Sequence, residues 1–136
     1  MRSALIDAGP LIALFDKSDS YHKKSIQFIK FFQGALWTTW PVITEVLHML
    51  DFSTRAQIHF LTWIDRGGLQ MHHIENDHIY RVIELIDKFD DVPMDLADGS
   101  LIVASEQLNF KEIATIDSDF YIYRNIRNQY LQNIFM

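Results

Sequence analysis

The sequence predicts an α/β domain with three layers, α/β/α, around a central and mainly parallel sheet of four to five strands. Three observations predict it. Short β-like runs alternate with helical patterns along the chain, the arrangement that builds parallel sheets through crossover helices. No internal repeat, low-complexity tract or long linker interrupts that alternation. The chain has 136 residues, a length at which one domain buries roughly two-thirds of its unfolded surface. A single domain over residues 1–136 is therefore expected.

"SALID" (3–7) is the first strand candidate, and "AGP" turns it into an apolar helix. "YHKKSIQFIKFF" places Ile26, Phe28, Ile29 and Phe32 at helical spacing, with lysines on the other face and Gly34 as the stop. "ALWTT" (35–39) is the second strand, after which Pro41 opens a helix through Met49. "STRAQIHFLTWIDRGG" begins with a Ser/Thr cap and ends in a double glycine, so it reads as a well-bounded helix. "LQMHH" is a third short strand. "NDHIYRVIELIDKF" is amphipathic, with Ile79, Val82, Ile83 and Ile86 on its apolar side. "MDLADGSLIVASE" (94–106) opens a largely apolar helix ending near Asn109, and "EIATID" (112–117) is the fourth strand, with "SDF" turning away from it.

Composition excludes several classes of function. There are no cysteines, so disulfides and thiolate metal sites are ruled out. No apolar run approaches the roughly 18 residues of a membrane span. Asp7 interrupts the apolar start and no small-residue cleavage site follows, so a cytoplasmic protein without a signal peptide is expected. The net charge of −6 argues against a plain nucleic-acid binder, whose affinity rests on cationic contacts to phosphate. It leaves room for an enzyme that meets phosphates through cations held on its own carboxylates.

The acids fall where such a site belongs. Asp7 and Asp117 stand at the carboxyl ends of two strand candidates, the edge where α/β sheets bind ligands. Glu45 lies one turn into the helix after "ALWTT", and Asp98 one turn into the helix of 94–106. Both are flanked by apolar residues, and none of the four segments supplies a basic partner before Lys111. Acids gathered without cations repel, and a divalent metal such as Mg²⁺ or Mn²⁺ relieves them. Each acid also has an ordinary explanation. Asp7 suits a strand-end turn, Glu45 a solvated helix face, Asp98 a helix-dipole position, and Asp117 with Asp119 an Asx-turn. Asp95 and Asp98, three apart, would face and repel each other by a few tenths of a kcal/mol. Asp95 two residues after Pro93 fits a helix cap, which leaves Asp98 as the better ligand.

Four stretches in order resemble the motifs of the PIN domain, a family of metal-dependent ribonucleases that includes the VapC-type toxins of toxin–antitoxin pairs. They are "LIDAGPLIALFDKSDSYH", "TTWPVITEVLHML", "MDLADGSLIVASEQL" and "IATIDSDFYIYR". The resemblance spans the whole chain. It implies an acidic site of Asp7, Glu45, Asp98 and Asp117, supported by Asp119 or Asp95, holding Mg²⁺ or Mn²⁺. It implies an endoribonuclease acting on RNA, a small antitoxin partner and a homodimer, with a non-catalytic RNA- or protein-binding module as the alternative. Some members carry Ser or Thr two residues after the first acid, where this chain has Gly9. Thr115 and Ser118 are the candidates to replace that polar contact.

Other clusters lead elsewhere. Glu45 and His48 have the spacing of di-iron bundle proteins, but that chemistry needs a second such motif, which the chain lacks. Asp16, Asp19 and His22 lie in a lysine-rich, loop-like stretch that suits a solvated helix start. His72 and His73 point to opposite faces of a strand. Trp37 and Trp40 flank the second motif and are expected to pack rather than to stack on RNA bases.

Overall fold

The computed structural model describes residues 2–136. Among them, five strands form one sheet in the order β3-β2-β1-β4-β5. The strands are β1 (Ser3–Ile6), β2 (Ala35–Thr39), β3 (Gln70–His72), β4 (Glu112–Ala114) and β5 (Gln132–Asn133). Every neighbouring pair is parallel. The helices are α1 (Ala8–Phe15), α2 (His22–Phe31), α3 (Trp40–Met49), α4 (Thr54–Asp65), α5 (Ile79–Lys88) and α6 (Leu96–Leu108). No helix among the described residues is long and apolar enough to cross a membrane.

The winding direction reverses once. From β1 the chain steps outward to β2 and β3, then returns past both to place β4 on the other side of β1. The gap between β1 and β4 is the switch point at which open parallel sheets bind ligands. Buried apolar residues hold this centre together: Leu5 and Ile6 from β1, Leu36 from β2, and Ile113 and Ala114 from β4. The run Leu101–Ala104 of α6 is buried as well. A strand buried on both faces reads as a short continuous apolar run, which is why "ALI" and "IA" carry no alternation.

Three local features depart from the sequence reading. β4 stops at Ala114, so Asp117 lies beyond the strand rather than at its last residue. β5 has two residues, too few for any periodicity to register. Its Asn133 side chain substitutes for a longer ladder, donating to the Thr115 carbonyl at 3.0 Å and accepting from the Thr115 amide at 3.4 Å. On α5, Val82 and Leu85 turn inward, whereas Ile79, Ile83 and Ile86 are 49%, 58% and 42% exposed. The apolar side of that helix is wider than the contact α6 offers it.

Candidate metal centre

Four of the sequence-predicted site residues take their places from chain reversals at the carboxyl edge of the sheet. Asp7 follows β1 directly and is the N-cap of α1. Its amide still bonds to the Ala114 carbonyl at 3.0 Å, so the ladder between β1 and β4 continues one residue past β1 and pins Asp7 to the switch point. Asp95 is the N-cap of α6 and Asp98 the third residue of that helix. Asp117 caps a 3₁₀ turn, Ser118–Tyr121, and accepts the Asp119 amide at 2.9 Å.

The resulting geometry brings one carboxylate oxygen each of Asp7, Asp98 and Asp117 within 4.8 Å of one another. Glu45 stands outside this group, exposed on α3. Its charge nevertheless reaches the cluster, since it raises the pKa of Asp7 and is itself raised by burial and then by Asp95 and Asp117. Asp95 and Asp98 form a reciprocal capping box. The Asp98 amide donates to Asp95 Oδ1 at 2.8 Å, and the Asp95 amide to Asp98 Oδ2 at 3.4 Å. The cap expected at Asp95 is therefore present, and it orients Asp98 toward the other acids.

Hydroxyl groups organise the cluster. Thr115 is fully buried and donates to Asp7 Oδ2 at 3.0 Å while accepting the Asp117 amide at 2.9 Å. It ties two of the three acids together. Ser118, the other residue suggested in place of a contact at position 9, is exposed. Thr39 shares a 2.6 Å hydrogen bond with Ser100, whose hydroxyl also reaches the Ala97 carbonyl at 2.7 Å. Since Ser100 has one proton, spent on Ala97, Thr39 is the donor between them. Thr38 donates to the Ile6 carbonyl at 2.9 Å, next to Asp7. Thr38, Thr39 and Ser100 escaped the sequence reading because Thr is an ordinary strand residue and Ser an ordinary small helix residue. Their one signal was the placement of "TT" before one site helix and "GS" after Asp98.

Gly9 has a steric role. A Cβ at that position would stand 3.2 Å from both Cβ and Cδ1 of Ile116, so glycine lets the segment before Asp117 lie against the first turn of α1. The polar contact missing at position 9 is exchanged for this close approach.

The electrostatics follow from crowding. Burial pushes the Asp7 carboxyl up to about 6, against lowering hydrogen bonds from Ala8 and Thr115, and Glu45 and Asp117 push it further. Asp98 is pushed up to about 8, by burial first and then by the charges of Asp95, Asp7 and Asp117. Among the described residues, no ion pair involves any of these acids; the chain's ion pairs join Arg2 to Glu112 and Arg81 to Glu84 and Glu106. Three hard oxygen donors, converging and uncompensated, suit Mg²⁺ or Mn²⁺, whose ligands lie at about 2.1 Å and often include a few carboxylates. The donor set fits such an ion.

A scan against protein-family models finds no match, and a search of curated proteins finds none. Among solved structures, the chain is similar to the Mycobacterium tuberculosis toxin VapC20, described as cleaving the sarcin–ricin loop. The TM-score is 0.79 at 15% identity, over 88% of this chain and 93% of that one. What two chains share at that identity is their backbone, here the parallel sheet, its six helices and the order that connects them. The chain has the fold of a VapC-type PIN-domain toxin.

Proposed function

We propose that this chain is a Mg²⁺- or Mn²⁺-dependent endoribonuclease and the toxin of a toxin–antitoxin pair. The observation that carries the reading is the convergence of Asp7, Asp98 and Asp117 within 4.8 Å at the switch point of a VapC-like fold. Asp7, Asp98 and Asp117 hold the cation. Bound there, it contributes Lewis acidity toward a phosphodiester and offsets the repulsion between the phosphate and the acids. Glu45, at the rim, helps position the cation or takes the proton of an attacking water. Thr115 holds Asp7 and Asp117 in register, Asp95 orients Asp98 through the capping box, and Asp119 is a supporting acid. Ser118 is exposed beside them and open to a phosphate oxygen. RNA is the substrate, and a small antitoxin protein and a second copy of the chain are the partners. Ile26 and Phe31 of α2, 41% and 67% exposed, belong to the apolar surface offered to one of them.

Purified protein incubated with structured and single-stranded RNA should cleave only when Mg²⁺ or Mn²⁺ is present. Metal-dependent cleavage that persists unchanged in Asp7→Asn and Asp98→Asn would overturn the site. Metal-independent RNA binding without cleavage, and no growth arrest when the chain is expressed alone, would favour a non-catalytic module instead.

A further inference from the structure

Hydrogen-bonded side chains tie the site segments to one another. Thr115 joins Asp7 to Asp117, and Thr39 with Ser100 joins β2 to α6. A third link runs from the Asp117 turn to the segment leading into α6, and Tyr123 makes it. The Tyr123 ring is fully buried, edge-on to Phe89 and Phe120 at 5.4 Å each. Its amide bonds to the Asp119 carbonyl at 3.1 Å, closing the turn that starts at Asp117. Its phenol donates to the Pro93 carbonyl at 2.9 Å, two residues before the Asp95 cap. The same hydroxyl lies 3.5 Å from the Val92 carbonyl. Among the described residues, no side chain other than Tyr123 hydrogen-bonds the Asp117 turn to the segment leading into α6.

We infer that Tyr123 is a positioning residue, a strut whose hydroxyl sets the distance between Asp98 and Asp117 and so tunes the affinity of the acidic cluster for a divalent cation. The inference rests on the metal-binding reading above and extends it to a residue outside the acidic set. Partners hydrogen-bonded directly to a metal's ligands change affinity by about 10- to 100-fold when lost. Tyr123 acts one step further out, through the Pro93 carbonyl, so the lower end of that range is expected. Tyr123 suits the task chemically. It sits in the field of Asp98, Asp119, Asp117 and Asp95, and burial together with those charges raises its pKa. The phenol therefore remains a proton donor across the working pH range, and a peptide carbonyl is an acceptor that never titrates. A lysine or histidine strut in the same place would neutralise the cluster and compete with the cation.

The test is Mn²⁺ affinity by calorimetry on wild type, Tyr123→Phe and Tyr121→Phe, alongside melting temperature measured without metal. Tyr123→Phe keeps the ring and its packing and deletes only the donor, whereas Tyr121 is exposed and serves as the control. The expected result is an affinity about 10-fold weaker in Tyr123→Phe, unchanged in Tyr121→Phe, with cleavage in Tyr123→Phe restored at high Mn²⁺. Wild-type affinity in Tyr123→Phe would overturn the inference. A loss matched by Phe89→Leu, which loosens the ring's packing and leaves the hydroxyl, would overturn it too, by showing general softening. Absence of Mn²⁺ binding in wild type would instead overturn the metal-site reading itself, and the strut's role with it.

Discussion

The two ends of α6 carry carboxylates that the chain treats in opposite ways. At the tail, Glu106 takes a two-pronged ion pair from Arg81, at 2.9 and 2.7 Å, and accepts the Ile126 amide. At the head, Asp98 meets Asp95, Asp7 and Asp117, and forms no ion pair among the described residues. Both groups are partly shielded from water, so both face part of the cost of burying charge. The tail meets that cost internally and reads as structure. The head leaves it unmet, which is the condition under which an external cation gains affinity. A buried acid is informative about function chiefly when its compensation is missing.

Substitution at the two ends should separate binding from stability. Asp98→Asn is expected to lower RNA cleavage by more than about 100-fold, since even groups that only orient a ligand cost up to that much. It should leave the metal-free melting temperature unchanged or raise it, because it removes repulsion. Single-turnover cleavage assays and thermal melts read the two effects apart; a lowered melting temperature with normal Mn²⁺ binding would reverse the roles assigned to head and tail.

Proton linkage sharpens the same contrast. The folded pKa values of Asp7 and Asp98, about 6 and about 8, lie above the ordinary 3.8. The folded, metal-free state therefore holds protons that the unfolded chain releases, and stability falls as pH rises. The loss begins near pH 4, as the unfolded groups ionise, and is complete above pH 8. Saturating Mn²⁺ should flatten that slope and stabilise the fold by about 2.7 kcal/mol at one hundred times its dissociation constant. Binding at pH 7 should release close to one proton, chiefly from Asp98, measurable by calorimetry in buffers of different ionisation heat.

At the tail, Glu106→Gln should cost about 2 kcal/mol in urea denaturation, because Arg81 loses a charge-assisted partner. Mn²⁺ affinity should not move. A change in affinity there would mean that the whole of α6, and not only its head, sets the site. The smallest expected effect is that of Gly9→Ala. Its new Cβ would press on Ile116 at 3.2 Å while gaining helix propensity in α1, so the net change in stability should stay within about 1 kcal/mol. Tighter Mn²⁺ binding in that variant would show that the native spacing of Asp7 and Asp117 is not the best one.

Much of the centre was legible in the chain itself. The parallel α/β class follows from alternating element patterns, Asp7 and Asp117 from their places at strand ends, and Asp98 from its apolar flanks, with no basic residue in their own segments. The cap at Asp95 is a local property of "MDLADG", and the structure bears it out. Glu45 shows the limit of such reasoning. Its apolar flanks suggested burial, yet it is exposed, because the residues around a helix alternate between faces while the sequence is linear. The isoleucines of α5 show the same limit: periodicity marks an apolar side without saying how much of it a neighbour covers.

The residue types, their order and the lack of Lys or Arg within the segments of four acids were settled by the sequence alone, because they are local and need no partner to be read. Only the tertiary structure decided that three acids rather than four converge, and that Thr115, Thr39 with Ser100, and Tyr123 hold the segments around them. Those links join residues 108, 61 and 30 positions apart. A hydroxyl's partner at such separations is chosen by how the sheet winds and where its helices land. No pattern within a single segment encodes that choice.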